Sequence, residues 1–199
     1  FSIPRADENL TRDEVVAPVL QTLLDARGTL DEPVENVTFK GLTFSYATWL
    51  RPNTDEGFAE IQANYCRHPE ATQDNNWGMD TWTKTPAAVT LSAAKNVIFE
   101  RNRFCRLGAA GLNFELGSQG NTVLGNELYD ISGCGVQFGD TFNHHPSDTR
   151  DVIKNNLVAN NSIHNIGVEY HGGVAIFVLY AANTRIIHNE LYDLPYTGI

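Results

Sequence analysis

A unit of about 24 residues recurs through this chain, and a chain built of recurring units must bury each unit against its neighbours. Four segments carry an Asn, apolar residues at its second and fifth following positions, and then a Gly. They are Asn102, Phe104, Leu107 and Gly111; Asn126, Leu128, Ile131 and Gly135; Asn161, Ile163, Ile166 and Gly173; and Asn189, Leu191, Leu194 and Gly198. Leu-Tyr-Asp recurs verbatim at 128–130 and 191–193. The Gly-to-Gly steps are 24, 38 and 25 residues, so one unit is enlarged by 14. Upstream, Asn36-Val-Thr-Phe39 aligns with Asn96-Val-Ile-Phe99 at a distance of 60 residues, and the surplus of 36 over one period matches the irregular stretch 51–86.

Each unit contains short apolar or alternating segments, such as Leu112-Asn-Phe114 and Val136-Gln-Phe138, punctuated by Gly and Asn. That pattern predicts an all-β fold, a right-handed parallel β-helix of the pectate-lyase-like type, in which each unit is one coil and coils stack about 4.8 Å apart. Leucine-rich repeats share the period, but their Leu-x-x-Leu-x-Leu consensus is missing. The repeated Asn are expected to stack into amide ladders, the repeated Gly to supply positive φ, and the Phe, Leu, Ile and Val positions to fill the interior. Residues 1–30 read as an N-terminal extension. There Thr11-Arg-Asp-Glu14 resembles a capping box, and Val15, Val16, Val19, Leu20, Leu23 and Leu24 follow at helical spacing. Pro18 shortens the expected helix to about 18–26, with its apolar stripe against a coil. Coils then occupy 31–199 with inserted loops at 51–86 and 140–151, and both ends of the chain are expected to be incomplete, because open coil ends need caps.

Fourteen Lys and Arg against 24 Asp and Glu give a net charge of −10, which disfavours nucleic acid as a partner. The longest apolar run, 174–182, is half the length of a membrane span. Three cysteines without a Cys-x-x-Cys pair, Cys66, Cys105 and Cys134, read as buried or free thiols rather than a disulfide framework or zinc site.

Function in a solenoid gathers where coils carry insertions. The enlarged coil holds Asp140, His144, His145, Asp148, Arg150 and Asp151 in one insert and Glu169, Tyr170 and His171 in a second. A carboxylate pair there suits glycoside cleavage, in which one acid protonates the leaving oxygen while an ionised partner attacks the anomeric carbon or activates water. Asp148 and Glu169 are the first candidates, with Asp140 in reserve; His145, Tyr170, His171, Trp49, Arg51 and Trp82 are candidates for holding sugar. A solvated loop with ion pairs is the alternative. A metal set of His144, His145, Asp148 and His171 matches no standard zinc spacing, and no cofactor is expected. The stretch 51–86 also carries Tyr65, Trp77 and Asp80. Its aromatics suit sugar stacking, or equally pin the loop to the solenoid wall.

Several blocks together resemble glycoside hydrolase family 141. They include Thr48-Trp49-Leu50-Arg51-Pro52, Gln62-Ala63-Asn64-Tyr65, Trp82-Thr-Lys84-Thr-Pro86, His145-Pro146-Ser-Asp148, Val168-Glu169-Tyr170-His171-Gly172 and Pro195-Tyr196-Thr-Gly198-Ile199. The resemblance implies a secreted or extracytoplasmic enzyme acting on plant cell-wall or related polysaccharide, with α-L-fucosidase or xylanase-like activity. It also implies an aspartate pair, carried over to Asp148 and less firmly to Asp140. The family pattern places an Asp after the Gly-Leu pair, where this chain has Asn113; a catalytic role for that Asp would leave this chain weakened. Two other classes share such a fold: polysaccharide lyases or uronan epimerases, and solenoids that bind glycan without cleaving it. Oligomeric state is not legible here.

Overall fold

The computed structural model describes residues 9, 11–12, 15–67, 82–139, 141 and 145–199. Five coils stack in parallel. Coil 1 contains β1 (Leu24–Arg27), β2 (Val34–Glu35), β3 (Thr38–Lys40) and β4 (Thr43–Ala47). An inserted antiparallel hairpin follows, β5 (Tyr65–Arg67) with β6 (Trp82–Lys84). Coil 2 contains β7 (Ala87–Ser92), β8 (Ala94–Lys95), β9 (Ile98–Glu100) and β10 (Arg103–Leu107); coil 3 contains β11 (Ala110–Glu115), β12 (Thr122–Leu124) and β13 (Glu127–Ile131). Coil 4 contains β14 (Val136–Phe138), β15 (Ile153–Lys154), β16 (Leu157–Ala159) and β17 (Ser162–His164), and coil 5 β18 (Ile176–Val178), β19 (Ala181–Ala182), β20 (Arg185–Ile187) and β21 (Glu190–Tyr192). Three five-stranded sheets result. The first is β1-β7-β11-β14-β18, the second β3-β9-β12-β16-β20 and the third β4-β10-β13-β17-β21. The pairs β2–β8 and β15–β19, bridged through Gln119, line the corner between the first sheet and the second.

The register lays like on like. Val89, Leu112, Val136 and Ile176 form one fully buried row, and Phe99, Val123 and Val158 another. Phe39 stacks on Phe99 at 4.7 Å, Phe44 on Phe104 at 4.9 Å and Phe114 on Phe138 at 5.0 Å, within the range of favourable aromatic packing. The expected amide ladder is present. Asn102, Asn126 and Asn161 each donate from Nδ2 to Oδ1 of the next Asn, at 3.1, 3.0 and 2.8 Å, and that oxygen also accepts the preceding coil's Asn backbone N–H. Asn121 and Asn156 build a second, shorter ladder.

Two expectations are corrected. The repeated Gly111, Gly135, Gly173 and Gly198 do not carry positive φ. Coils pass too close there for a side chain: a Cβ on Gly111 would lie 2.7 Å from the Gly135 carbonyl oxygen, and one on Gly135 2.6 Å from that of Ala175. Left-handed residues instead form three columns elsewhere, the third of them within the third sheet. Asn36, Asn96, Gly120, Asn155 and Asn183 make one, Gly41, Arg101, Gly125, Asn160 and His188 a second, and Tyr46, Arg106, Asp130, Asn165 and Asp193 a third. The N-terminal helix is also absent. Leu24–Arg27 is strand β1, paired with β7, so the solenoid already begins within the stretch set apart as 1–30. Pro18 lacks a donor N–H, whereas Leu23 and Gly28 find ladder partners at 2.7 and 2.9 Å on Ala88 and Ser92. Val15, Val19 and Leu20 are exposed rather than laid on a coil.

A candidate active-site groove at one corner

The corner between the third sheet and the first decides where chemistry can gather. Coils 2 and 3 turn it with residues 108–109 and 132–135, while coil 1 leaves the third sheet after Ala47 and joins the first only at Ala87, and coil 4 spends 165–175 there. Both long connections rise from the same edge, three coils apart, and the two short turns between them form a floor. The resulting groove has a volume of about 620 Å³. Thr48, Trp49, Pro52 and Asn53 line one wall and Val168, Glu169 and Tyr170 the other; Arg106, Gly108, Asp130 and Ser132 lie at the base. Backbone bonds fix the second wall, since Val168 N–H donates to Ile131 at 3.2 Å and Tyr170 N–H to Ser132 at 2.9 Å.

Three aromatic rings brace the two walls. Trp49 meets Phe58 at 4.7 Å and Tyr170 at 5.4 Å, and Phe58 meets Tyr170 at 4.9 Å, all edge to face. Trp49 is buried, and its ring joins the two walls. Burial, with Glu169 and Glu60 nearby, pushes the Tyr170 hydroxyl above its ordinary value and keeps it a donor.

The sequence candidates divide. Glu169, Tyr170 and Trp49 belong to this groove. Asp148 does not: its insert leaves the far end of the first sheet, beside Gly117 and Gln119, and Glu169 precedes that sheet. The six-residue β11 spans roughly 20 Å at 3.3 Å per residue, far more than the ~9.5 Å limit for a glycosidase pair, so Asp148 and Glu169 do not share a trough. Asp148 is instead held by Arg150 at 2.7 Å, and Arg150 reaches Asp31 of coil 1 at 2.7 Å. Those bonds lower the Asp148 pKa, the reverse of what a general acid needs. Asp140, His144, Trp77 and Asp80 lie outside the described residues. His145 and His171 are exposed. Arg51 turns away from the groove, with Nη1 3.4 Å from Cys66 Sγ and Nε 3.5 Å from Glu56. Trp82 pairs with Arg67 in the hairpin, and its carbonyl accepts the Thr141 hydroxyl at 2.7 Å. Among the described residues, no cluster of three or more His, Cys, Asp or Glu could hold a metal ion, and no helix is long and apolar enough to cross a membrane.

Sequence reasoning missed Asp130 and Arg106. Both occupy the left-handed column of the third sheet, one coil apart, where the bulge lifts side chains out of the strand alternation. The signal was present in the repeated Leu-Tyr-Asp, whose Asp stands at that column in coils 3 and 5.

Asn113 lies on the outer face of the first sheet, beneath the hairpin. Its Oδ1 accepts from Lys84 at 2.7 Å and its Nδ2 donates to Glu115 at 3.0 Å; Lys84 also donates to the Gly139 carbonyl. A carboxylate here could not donate to Glu115, so Asn113 serves as a buried tie between insert and sheet.

Residues 32–199 match a family described as the right-handed β-helix region. A solved structure described as a glycoside hydrolase is similar, with 33% identity and a TM-score of 0.81 over 98% of this chain. The chain spans 36% of the length of that protein. No curated protein matches.

Proposed function

The chain belongs to the right-handed β-helix family, and from that premise we propose that it is the groove-bearing part of a glycoside hydrolase, acting outside the cytoplasm on a plant cell-wall or related glycan. The observation that carries the reading is the corner groove, where Asp130 and Glu169 from successive coils face a cavity large enough for sugar. In this reading Glu169 is the acid that protonates the leaving oxygen, Asp130 is the nucleophile or the base for water, and Arg106 and Tyr170 hold sugar hydroxyls. One cation against two carboxylates favours a neutral glycan, of the α-L-fucosidase or xylanase-like kind, over a polyuronate.

The test measures reducing ends released by the protein from α-fucosylated glycans and xylo-oligosaccharides. Glu169→Gln and Asp130→Asn should each lower turnover by about 100-fold or more, and Asp148→Asn should leave it near normal. Full activity in Glu169→Gln would remove the groove from the chemistry. Unsaturated, ultraviolet-absorbing products would assign the fold to a lyase instead.

A further inference from the structure

The groove's two walls are joined behind its aromatic rings by a latch that the catalytic reading does not use. Ala63 and Asn64 both adopt left-handed φ, 58° and 56°, which places the fully buried Asn64 amide in a slot between coils. A Cβ on Gly133 or Gly173 would come within 2.9 or 3.1 Å of Asn64 Oδ1, so two glycines from successive corners make room for it. Asn64 Nδ2 donates to Glu60 Oε2 at 2.5 Å and to the Tyr170 carbonyl at 3.2 Å, and the same Glu60 oxygen accepts the Gly172 N–H at 3.1 Å. Tyr170 is therefore held on its ring by Trp49 and Phe58 and on its backbone by Asn64.

We propose that Glu60 and Asn64 are positioning residues of the groove: they fasten the first insert to the 170–172 turn and so fix where Glu169 and Tyr170 meet a bound sugar. The inference rests on the groove being the glycan site. Strain at two adjacent left-handed residues persists only where surrounding contacts hold it, and here those contacts converge on the wall that carries Glu169. The latch needs an oxygen at Glu60 and a donor at Asn64: Glu60→Gln keeps an oxygen that can accept from both Asn64 Nδ2 and Gly172 N–H, whereas Asn64→Asp sets a carboxylate against the Glu60 carboxylate and the Tyr170 carbonyl.

The experiment uses the full chain and the α-fucosylated or xylo-oligosaccharide that wild type binds best, with amide hydrogen exchange at Gly172 read in parallel. At pH 8, Asn64→Asp should weaken glycan binding at least tenfold and speed Gly172 exchange at least tenfold. Glu60→Gln, which keeps the accepting oxygen, should stay within threefold of wild type in both readouts at pH 8. If Asn64→Asp does not fold, Glu60→Ala carries the test, with both losses expected. Faster exchange with unchanged affinity overturns the positioning role, and unchanged exchange overturns the latch. Equal losses in Glu60→Gln and Glu60→Ala reduce the pair to packing. Failure of wild type to bind any of these glycans overturns the groove reading, and the positioning role with it, before any variant is made.

Discussion

Asn126 shows how much a single repeat residue carries. Its Oδ1 accepts both the backbone N–H and the side-chain amide of Asn102, and its Nδ2 donates to Phe99 and Asn161, all out of water. Asn126→Ala leaves the Asn102 backbone N–H without its acceptor, at about 1–3 kcal/mol, and also removes a donor to the Phe99 carbonyl and the link to Asn161. We expect a loss of about 2–4 kcal/mol in urea unfolding. A loss below ~0.5 kcal/mol would mean that the ladder is ornamental to stability. The ladder positions were legible because amide stacking requires the same residue at the same place in every coil. Asp130 was not, because its prominence comes from a bulge that breaks strand alternation, and a sequence read by period two hides it.

At the level of strands and corners, glycines divide into two kinds. Gly41 sits at φ +67° with nothing near its missing Cβ, whereas Gly135 has an ordinary φ and a carbonyl oxygen 2.6 Å from where a Cβ would be. Gly41→Ala should therefore cost about 1 kcal/mol, the strain of a left-handed residue. Gly135→Ala must displace a neighbouring coil's backbone and should cost about 3 kcal/mol. Denaturant midpoints that rank the two in reverse would restore positive φ as the reason for the repeated Gly. The short N-terminal segment makes a related point. Its apolar spacing fits a helix, but Leu24 and Ala26 also alternate correctly for β1, and a waiting sheet edge supplies the hydrogen bonds that an isolated short helix would have to nucleate alone.

Across the molecule, the first insert and the solenoid behave as two layers sharing a seam. Tyr65 and Cys66 lie on the insert and Cys134 beneath it. Burial pushes Tyr65 up to about 12 and Cys134 to about 11, and it raises Cys66 against the pull of Arg51. In the unfolded chain these thiols lose protons near ~8.5, while the folded chain keeps them to higher pH. Between those values the unfolded state binds fewer protons, so stability falls as pH rises from about 9 toward 11 and falls further when Tyr65 begins to titrate. Because all three groups sit at one seam, alkali should loosen the insert before the coils. Tryptophan emission from Trp49 and Trp82 should shift at lower pH than the far-ultraviolet β signal is lost; coincident transitions would show a single cooperative unit.

The sequence by itself determined the coil period, the interior rows, the Asn ladder and the places where loops leave the stack, since each follows from residue type repeated at fixed spacing. Only the tertiary structure decided which loops meet. An insertion's position along the chain says which coil it leaves, but the corner it leaves by depends on how residues divide among three sheets within that coil. That division sent Asp148 to one end of the first sheet and Glu169 to the other, and it brought Trp49, from more than a hundred residues upstream, against Tyr170.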